Sequence, residues 1–195
     1  VSGVESTSED VGDPGQELVE IVNIDGTVID VVTRARMRKE RLRHRCTYVA
    51  VVVGVDGSLG AIASSGLLGV ESEIIVHQRA DWKDTYPSYW DVAFGGVCGV
   101  GEDWQSSAER ELAEEAGIEG ATLHELGPTS YEAEDNRVVG RLYLASWPAE
   151  PVCADGEVVA IGHVALGELQ SWVDTVEVCP DSIEVVVPAL LRLIA

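Results

Sequence analysis

Three glutamates, Glu111, Glu114 and Glu115, stand at i, i+3 and i+4. On a helix that spacing puts all three carboxylates on one face. Like charges so close repel and weaken the helix, and a cation held among them reverses the penalty. Oxygen-only clusters suit hard divalent ions, Mg²⁺ or alternatively Mn²⁺, which keep positions open for water and substrate phosphates. Taken alone, the same run reads better as the solvated face of an acidic helix. The surrounding residues are more constrained. Five residues separate Gly96 from Glu102, and seven more separate Glu102 from Arg110. The Gly-rich stretch 95–101 lets the backbone approach an ion closely, with the Gly95 or Gly96 carbonyl as a ligand. Glu102 and Arg110 are expected to pair and to hold this loop against the helix. Leu112 and Ile118 should bury, and Gly117 should end the helix.

Residues 96–118 read GVCGVGEDWQSSAERELAEEAGI. This segment resembles the Nudix box, G-x5-E-x7-R-E-U-x-E-E-x-G-U, where U is a bulky apolar residue. All nine constrained positions match. The resemblance implies a fold of the α/β class (α+β type), with a mixed β-sheet sandwiched between helices. It also implies a Mg²⁺-dependent hydrolase that splits a diphosphate linkage with water. Glu111, Glu114, Glu115 and the Gly96 carbonyl then map onto the metal ligands, and Glu111 is also the candidate base. Some members of the family use a base outside the box, for which Glu157 is the candidate here.

A second resemblance lies upstream. His44-Arg45, Gln78-Arg79-Ala80, Lys83, Pro87, Trp90 and Gly95-Gly96 are laid out as in isopentenyl-diphosphate isomerases and their hydrolase relatives. By that resemblance Arg79 and Lys83 bind diphosphate, which suits a guanidinium fork and an ammonium. A structural ion pair is the competing role for both. His44 is the histidine expected to face the site. The isomerase chemistry itself is missing. Its cysteine position holds Gly95, its metal-binding histidine position holds Val97, and Ser88 stands where Pro-Gly is usual. The expected activity is therefore hydrolysis of a nucleoside diphosphate derivative or related organic diphosphate. Isomerase-like activity and a non-catalytic nucleotide-sensing module are the rivals.

A net charge of −21 disfavours nucleic acid and anionic membranes as partners, because both would be repelled. A small-molecule diphosphate is the expected partner, and a homodimer stays open. No apolar run approaches a membrane span and no signal peptide is evident, so a cytoplasmic location is expected. Cys46, Cys98, Cys153 and Cys179 form no CxxC pair and are read mainly as buried small residues.

Several elements must position these groups. Residues 1–17 are expected to be a flexible acidic tail and 18–195 a single domain. Leu18–Val22 and Val28–Val32 read as a hairpin around Asp25-Gly26. Thr33–Arg45 is basic and predicts a short helix or turn. It is either an anion-attracting rim or, preferably, a solvated face balancing nearby carboxylates. Tyr48–Val55, Glu73–Gln78, Val138–Ser146 and Glu157–Val164 read as strands. Ala121–Leu126 and Thr129–Glu134 read as two extended pieces, and Asp135-Asn136 reads as a turn. A helix is predicted from about Asp103 to Ala116 and a short one over Leu166–Val173. Asp181 and Glu184 resemble a capping box opening a last helix to about Leu193.

Overall fold

From Tyr48 onward the run YVAVVV is apolar at every position, as a strand covered on both faces requires. The computed structural model describes residues 14–54 and 68–194, and it places this run in β3 (His44–Val53) inside a mixed sheet. Tyr48, Ala50 and Val52 enter one core, and Val49 and Val51 enter the other. The remaining strands are β1 (Leu18–Val22), β2 (Val28–Thr33), β4 (Glu73–Arg79), β5 (Trp90–Asp91), β6 (His124–Glu132), β7 (Arg137–Trp147) and β8 (Val158–Ala165). β3 runs parallel to β7, in register from His44↔Val138 to Val53↔Trp147. β4 pairs antiparallel with β8 over Glu73–Arg79. β3 and β4 meet only at Val52↔Ile74, so they are not the simple hairpin that their order in the sequence invites.

The helices are α1 (Arg34–Glu40), α2 (Trp104–Ala116), α3 (Leu169–Trp172) and α4 (Val187–Leu191). Ala108, Leu112 and Ala116 of α2 close one core against Val49, Val51 and Phe94. Leu169, Val187 and Leu190 close the other against Ala50, Val52 and Leu144. The architecture is thus α+β, with a mixed sheet between helices. Among the described residues no helix is long and apolar enough to cross a membrane.

Several local expectations change. Residues 121–126 and 129–134 are not two pieces, because one strand, β6, spans the second half of the first and most of the second. A register shift between Glu125 and Gly127 absorbs the break, with Gly127 at φ 129°. The β1–β2 turn forms as expected, with Gly26 at φ 83°. Pro14–Gln16 form a turn of 3-10 helix, and Glu17 pairs with Arg34 at 2.7 Å. Residues 1–13 of the expected tail and 56–67 of the long connection lie outside the described residues. The last helix opens differently too. Ser182–Val186 form a π-helical turn running into α4. Pro188 supplies no amide hydrogen and its ring would clash with the Glu184 carbonyl, so a widened turn just before it relieves both problems.

Candidate active site

Asp103 caps α2, accepting from the Gln105 and Ser106 amides at 3.1 Å each. Gly117 closes the helix in the left-handed region at φ 63°. With its ends set and its apolar stripe packed, α2 has one rotational setting. That setting buries Glu115, leaves Glu111 with 12% of its side-chain surface, and exposes Glu114 at 56%. The three carboxylates therefore share the cleft side of α2 but at different depths.

The Gly-rich segment is laid along β3 like an irregular strand. The Val49 amide donates to the Phe94 carbonyl at 2.7 Å and the Phe94 amide returns the bond at 3.0 Å. Next, the Thr47 amide donates to the Gly96 carbonyl at 3.0 Å and the Cys98 amide to the Arg45 carbonyl at 3.1 Å. Gly95 sits at φ 149°, and a β-carbon there would lie 2.0 Å from the Thr47 carbonyl oxygen. A β-carbon on Gly96 would lie 2.5 Å from Glu111 Oε2. Gly95 is thus required by close approach to backbone, whereas at Gly96 the neighbour is a carboxylate that could swing aside. The isomerase cysteine has no room at position 95 on this backbone.

Glu102 ties the loop to α2. It accepts from the Gly99 amide at 2.8 Å and takes both arms of Arg110, at 2.9 and 3.0 Å. The guanidinium beside it holds the Glu102 carboxyl below its ordinary value. Arg110 does more than sequence reasoning assigned it. Its third nitrogen bonds Glu111 and Glu114, at 2.9 Å each. Glu20 holds the loop from the far side, accepting from the Gly101 amide at 3.0 Å while paired with Arg45 at 2.9 Å. Nothing local in the sequence marks Glu20 for this role.

A cleft of about 1300 Å³ runs past these groups. Gly96, Glu102, Arg110, Glu111, Glu114 and Glu115 line it, and so do Arg79, Lys83, His44 and Glu157. Glu115 accepts from the Gly95 amide at 3.1 Å and faces the Lys83 ammonium at 3.6 Å. Lys83 also contacts Glu157, so it bridges the two carboxylates. Burial pushes Glu115 up to about 8 despite Lys83, and Glu111 up to about 7 despite Arg110. Burial also opposes ionisation of Glu157, but the Lys83 contact outweighs it and the carboxyl lies below its ordinary value.

Arg79 is committed to structure. It donates twice to the Thr85 carbonyl, at 3.1 and 3.2 Å, and faces Asp91 at 3.6 Å. His44 is buried, and burial with the nearby Arg38 charge lowers its pKa to about 4. Its Nδ1 lies 3.0 Å from the Leu42 carbonyl, which can only accept. Nδ1 therefore carries the proton and Nε2 presents a lone pair, which offers nothing to a phosphate. The basic stretch divides. Arg36, Arg41 and Arg43 pair with carboxylates, as a balanced surface would, whereas Arg34, Arg38 and Lys39 line the cleft, Arg34 while paired with Glu17. Asp181, read as a helix cap, caps Ser182 with one oxygen and accepts from the Tyr48 hydroxyl with the other. It too lines the cleft, and burial and then Asp91 raise it to about 6. The four cysteines are free, with Cys98 and Cys179 buried.

Residues 61–180 match the NUDIX domain family. The chain belongs to the Nudix family. It is 33% identical to the Nudix hydrolase YfcD of Salmonella typhi over 168 residues, 86% of this chain and 82% of that one. It is 37% identical to a Nudix hydrolase of Yersinia pestis over 127 residues, 65% of this chain and 61% of that protein's length. A Deinococcus radiodurans structure superposes with TM-score 0.68 at 18% identity, covering 91% of this chain and 99% of that one. The NUDIX domain of Shewanella oneidensis NrtR, complexed with ADP ribose, superposes with TM-score 0.54 at 13% identity, covering 81% and 96%. These kinships place the chain among the Nudix hydrolases and give it their fold.

Proposed function

We propose that this Nudix protein is a Mg²⁺-dependent pyrophosphohydrolase acting on a nucleoside diphosphate derivative or related organic diphosphate. The observation that carries the reading is the seating of Glu111 and Glu115. Two carboxylates are buried side by side against a glycine loop, at the floor of a cleft large enough for a nucleotide-sized molecule. The donor set fits a hard divalent ion. It consists of carboxylate oxygens plus the Gly96 carbonyl, whose second lone pair is left after the Thr47 amide takes the first. Glu111 Oε2 lies 2.5 Å from where a β-carbon on Gly96 would stand, so the bare glycine leaves the carboxylate room beside the loop. Glu111, Glu114 and Glu115 are the side chains that would hold the ion. Among the described residues no three acidic, histidine or cysteine side chains are already gathered around one point, so the carboxylates would close on the ion as it binds. Bound there, Mg²⁺ supplies charge to neutralise the phosphate oxygens and a Lewis acid for water.

The protein's own groups do the rest. Water forms a bond to one phosphorus as the bridging P–O bond breaks, giving two phosphate products and releasing a proton. Glu111 is placed to take that proton. Lys83, set between Glu115 and Glu157, neutralises the deep end of the cleft and points an ammonium at an incoming phosphate. Arg110 and Glu102 hold Glu111, Glu114 and the loop at one spacing. The isomerase alternative lacks its cysteine at Gly95, where a side chain has no space.

Screening nucleotide sugars, dinucleotides, nucleoside triphosphates and CoA derivatives with Mg²⁺ tests the reading. At least one should yield monophosphate products, and Glu115→Gln should stop that turnover. Full activity in Glu115→Gln would remove the metal assignment. Nucleotide binding without turnover across the panel would favour the sensor reading instead.

A further inference from the structure

We propose that Arg38, with Asn136, forms a receptor for a second anionic group, a phosphate or carboxylate carried by the substrate beyond its scissile diphosphate. This rests on the diphosphatase reading for its substrate, but not for the binding site itself. Thirteen lysines and arginines serve a chain of net charge −21. Among the described residues, ten of them stand within 4 Å of a carboxylate. The three left over are Arg38, Lys39 and Arg192, and the last two are exposed. Arg38 is half-buried, and its Nε is buried without a hydrogen-bond partner among the described residues. Among the described residues no carboxylate stands within 4 Å of this guanidinium; Asp84 acts on it only from farther off.

Its neighbours sharpen the point. Arg34 and Arg38 stand one turn apart on α1, and both line the cleft. Like charges at that spacing weaken a helix. Burial, and then Arg34, lower the Arg38 pKa; Cys46 and Asp84 oppose that in part, and Arg79 adds a smaller repulsion. Across the cleft wall lies Asn136, 6% exposed, whose Oδ1 has no partner among the described residues. It sits two residues before Val138, the register partner of His44, and the Arg38 charge acts on His44. Arg38 and Asn136 therefore share the His44 end of the cleft. A buried donor and a buried polar amide left unpaired both cost stability unless something completes them. An anionic oxygen satisfies the guanidinium, and the Asn136 amide adds a bond to it when turned so that Nδ2 donates. The carboxylates of α2 repel an anion from their own end, so the extra group is sorted to this one.

Binding is measured first, without metal, so that turnover plays no part. In EDTA buffer, calorimetry with inorganic pyrophosphate should detect binding to the wild type. Arg38→Gln should weaken it about tenfold or more, and Asn136→Ala by less. Arg38→Lys, which keeps the charge but not the fork, should recover part of the loss and guards against a variant that fails to fold. Equal binding by wild type and a folded Arg38→Gln overturns the proposal. Hydrolysis of matched pairs with Mg²⁺ then tests the substrate class, using CoA against dephospho-CoA and NADPH against NADH. The wild type should prefer the phosphorylated member of at least one pair, and Arg38→Gln should shrink that preference about tenfold through KM. No preference in either pair overturns the substrate class. Failure to hydrolyse either pair counts against these compounds as substrates, and the pyrophosphate result still decides the role of Arg38.

Discussion

Gly95→Ala isolates the close approach that brings the glycine loop onto β3. The new β-carbon would start 2.0 Å from the Thr47 carbonyl oxygen, so loop and strand must part by at least 1 Å to reach a 3.0 Å contact. The backbone at φ 149° adds its own cost, about 1–3 kcal/mol for a residue with a side chain. Three interstrand bonds flank the site, joining Thr47 to Gly96 and Val49 to Phe94 in both directions. Loosening them costs roughly 1 kcal/mol each. Together these effects predict a loss of about 4–6 kcal/mol, or a Tm lower by about 8–24 °C in a chain of this size. The Glu115 contact to the Gly95 amide goes with them, so activity on any hydrolysed diphosphate should fall in parallel. Differential scanning calorimetry and urea unfolding of the purified variant measure the effect. A Tm within about 3 °C of wild type would mean that position 95 tolerates a side chain. The steric argument against an isomerase cysteine would then collapse.

Other consequences follow from the same geometry. Glu115→Gln keeps an oxygen for the Gly95 amide, so it should fold with undiminished Tm while losing about a hundredfold or more in kcat. Glu111 and Glu115 have folded pKa values raised by burial to about 7 and about 8. The native metal-free protein therefore binds more protons than the unfolded chain above the ordinary carboxylate range. Its stability should be full below about pH 4.5 as far as these groups are concerned, and should fall as pH rises through 7 to 8. Mg²⁺ should raise Tm more at pH 8 than at pH 5, and a flat Tm across that range in EDTA would contradict the burial argument. Arg110→Met removes charged hydrogen bonds to Glu102, Glu111 and Glu114. It should cost about 2–3 kcal/mol in urea unfolding and at least about tenfold in kcat/KM. Equal loss in Arg110→Met and Glu114→Gln would show that only the exposed contact matters.

What the sequence made legible was local. The helix carrying the glutamates follows from Asp103, the apolar stripe and Gly117, each a signal within a few residues of its effect. Glu102 and Arg110 meet because one turn of loop and one turn of helix bring them together. The strands were legible wherever both faces are buried, as in β3. The pairing of β3 with β7 was not, since a parallel partner nearly a hundred residues away leaves no local mark. The π turn before Pro188 was missed because that proline reads as a helix problem without saying how it is solved.

The residues misjudged around the cleft share one physical cause. Asp181 looked like a cap, Arg38 like one charge in a solvated row, and Asn136 like half of a turn. Each of those local roles is genuine, since Asp181 does cap Ser182 and Asn136 does close the turn through Ala133. What the local role hides is the second side of each group. Polar side chains have more bonding positions than a cap or turn consumes, and burial makes the spare positions costly. Tyr48 takes the spare oxygen of Asp181. Among the described residues nothing takes that of Asn136 or the Nε of Arg38. The box is legible because its residues are bound by one another. The His44 end of the cleft is illegible because, among the described residues, the buried Nε of Arg38 and Oδ1 of Asn136 are left incomplete, and that incompleteness is what singles Arg38 out.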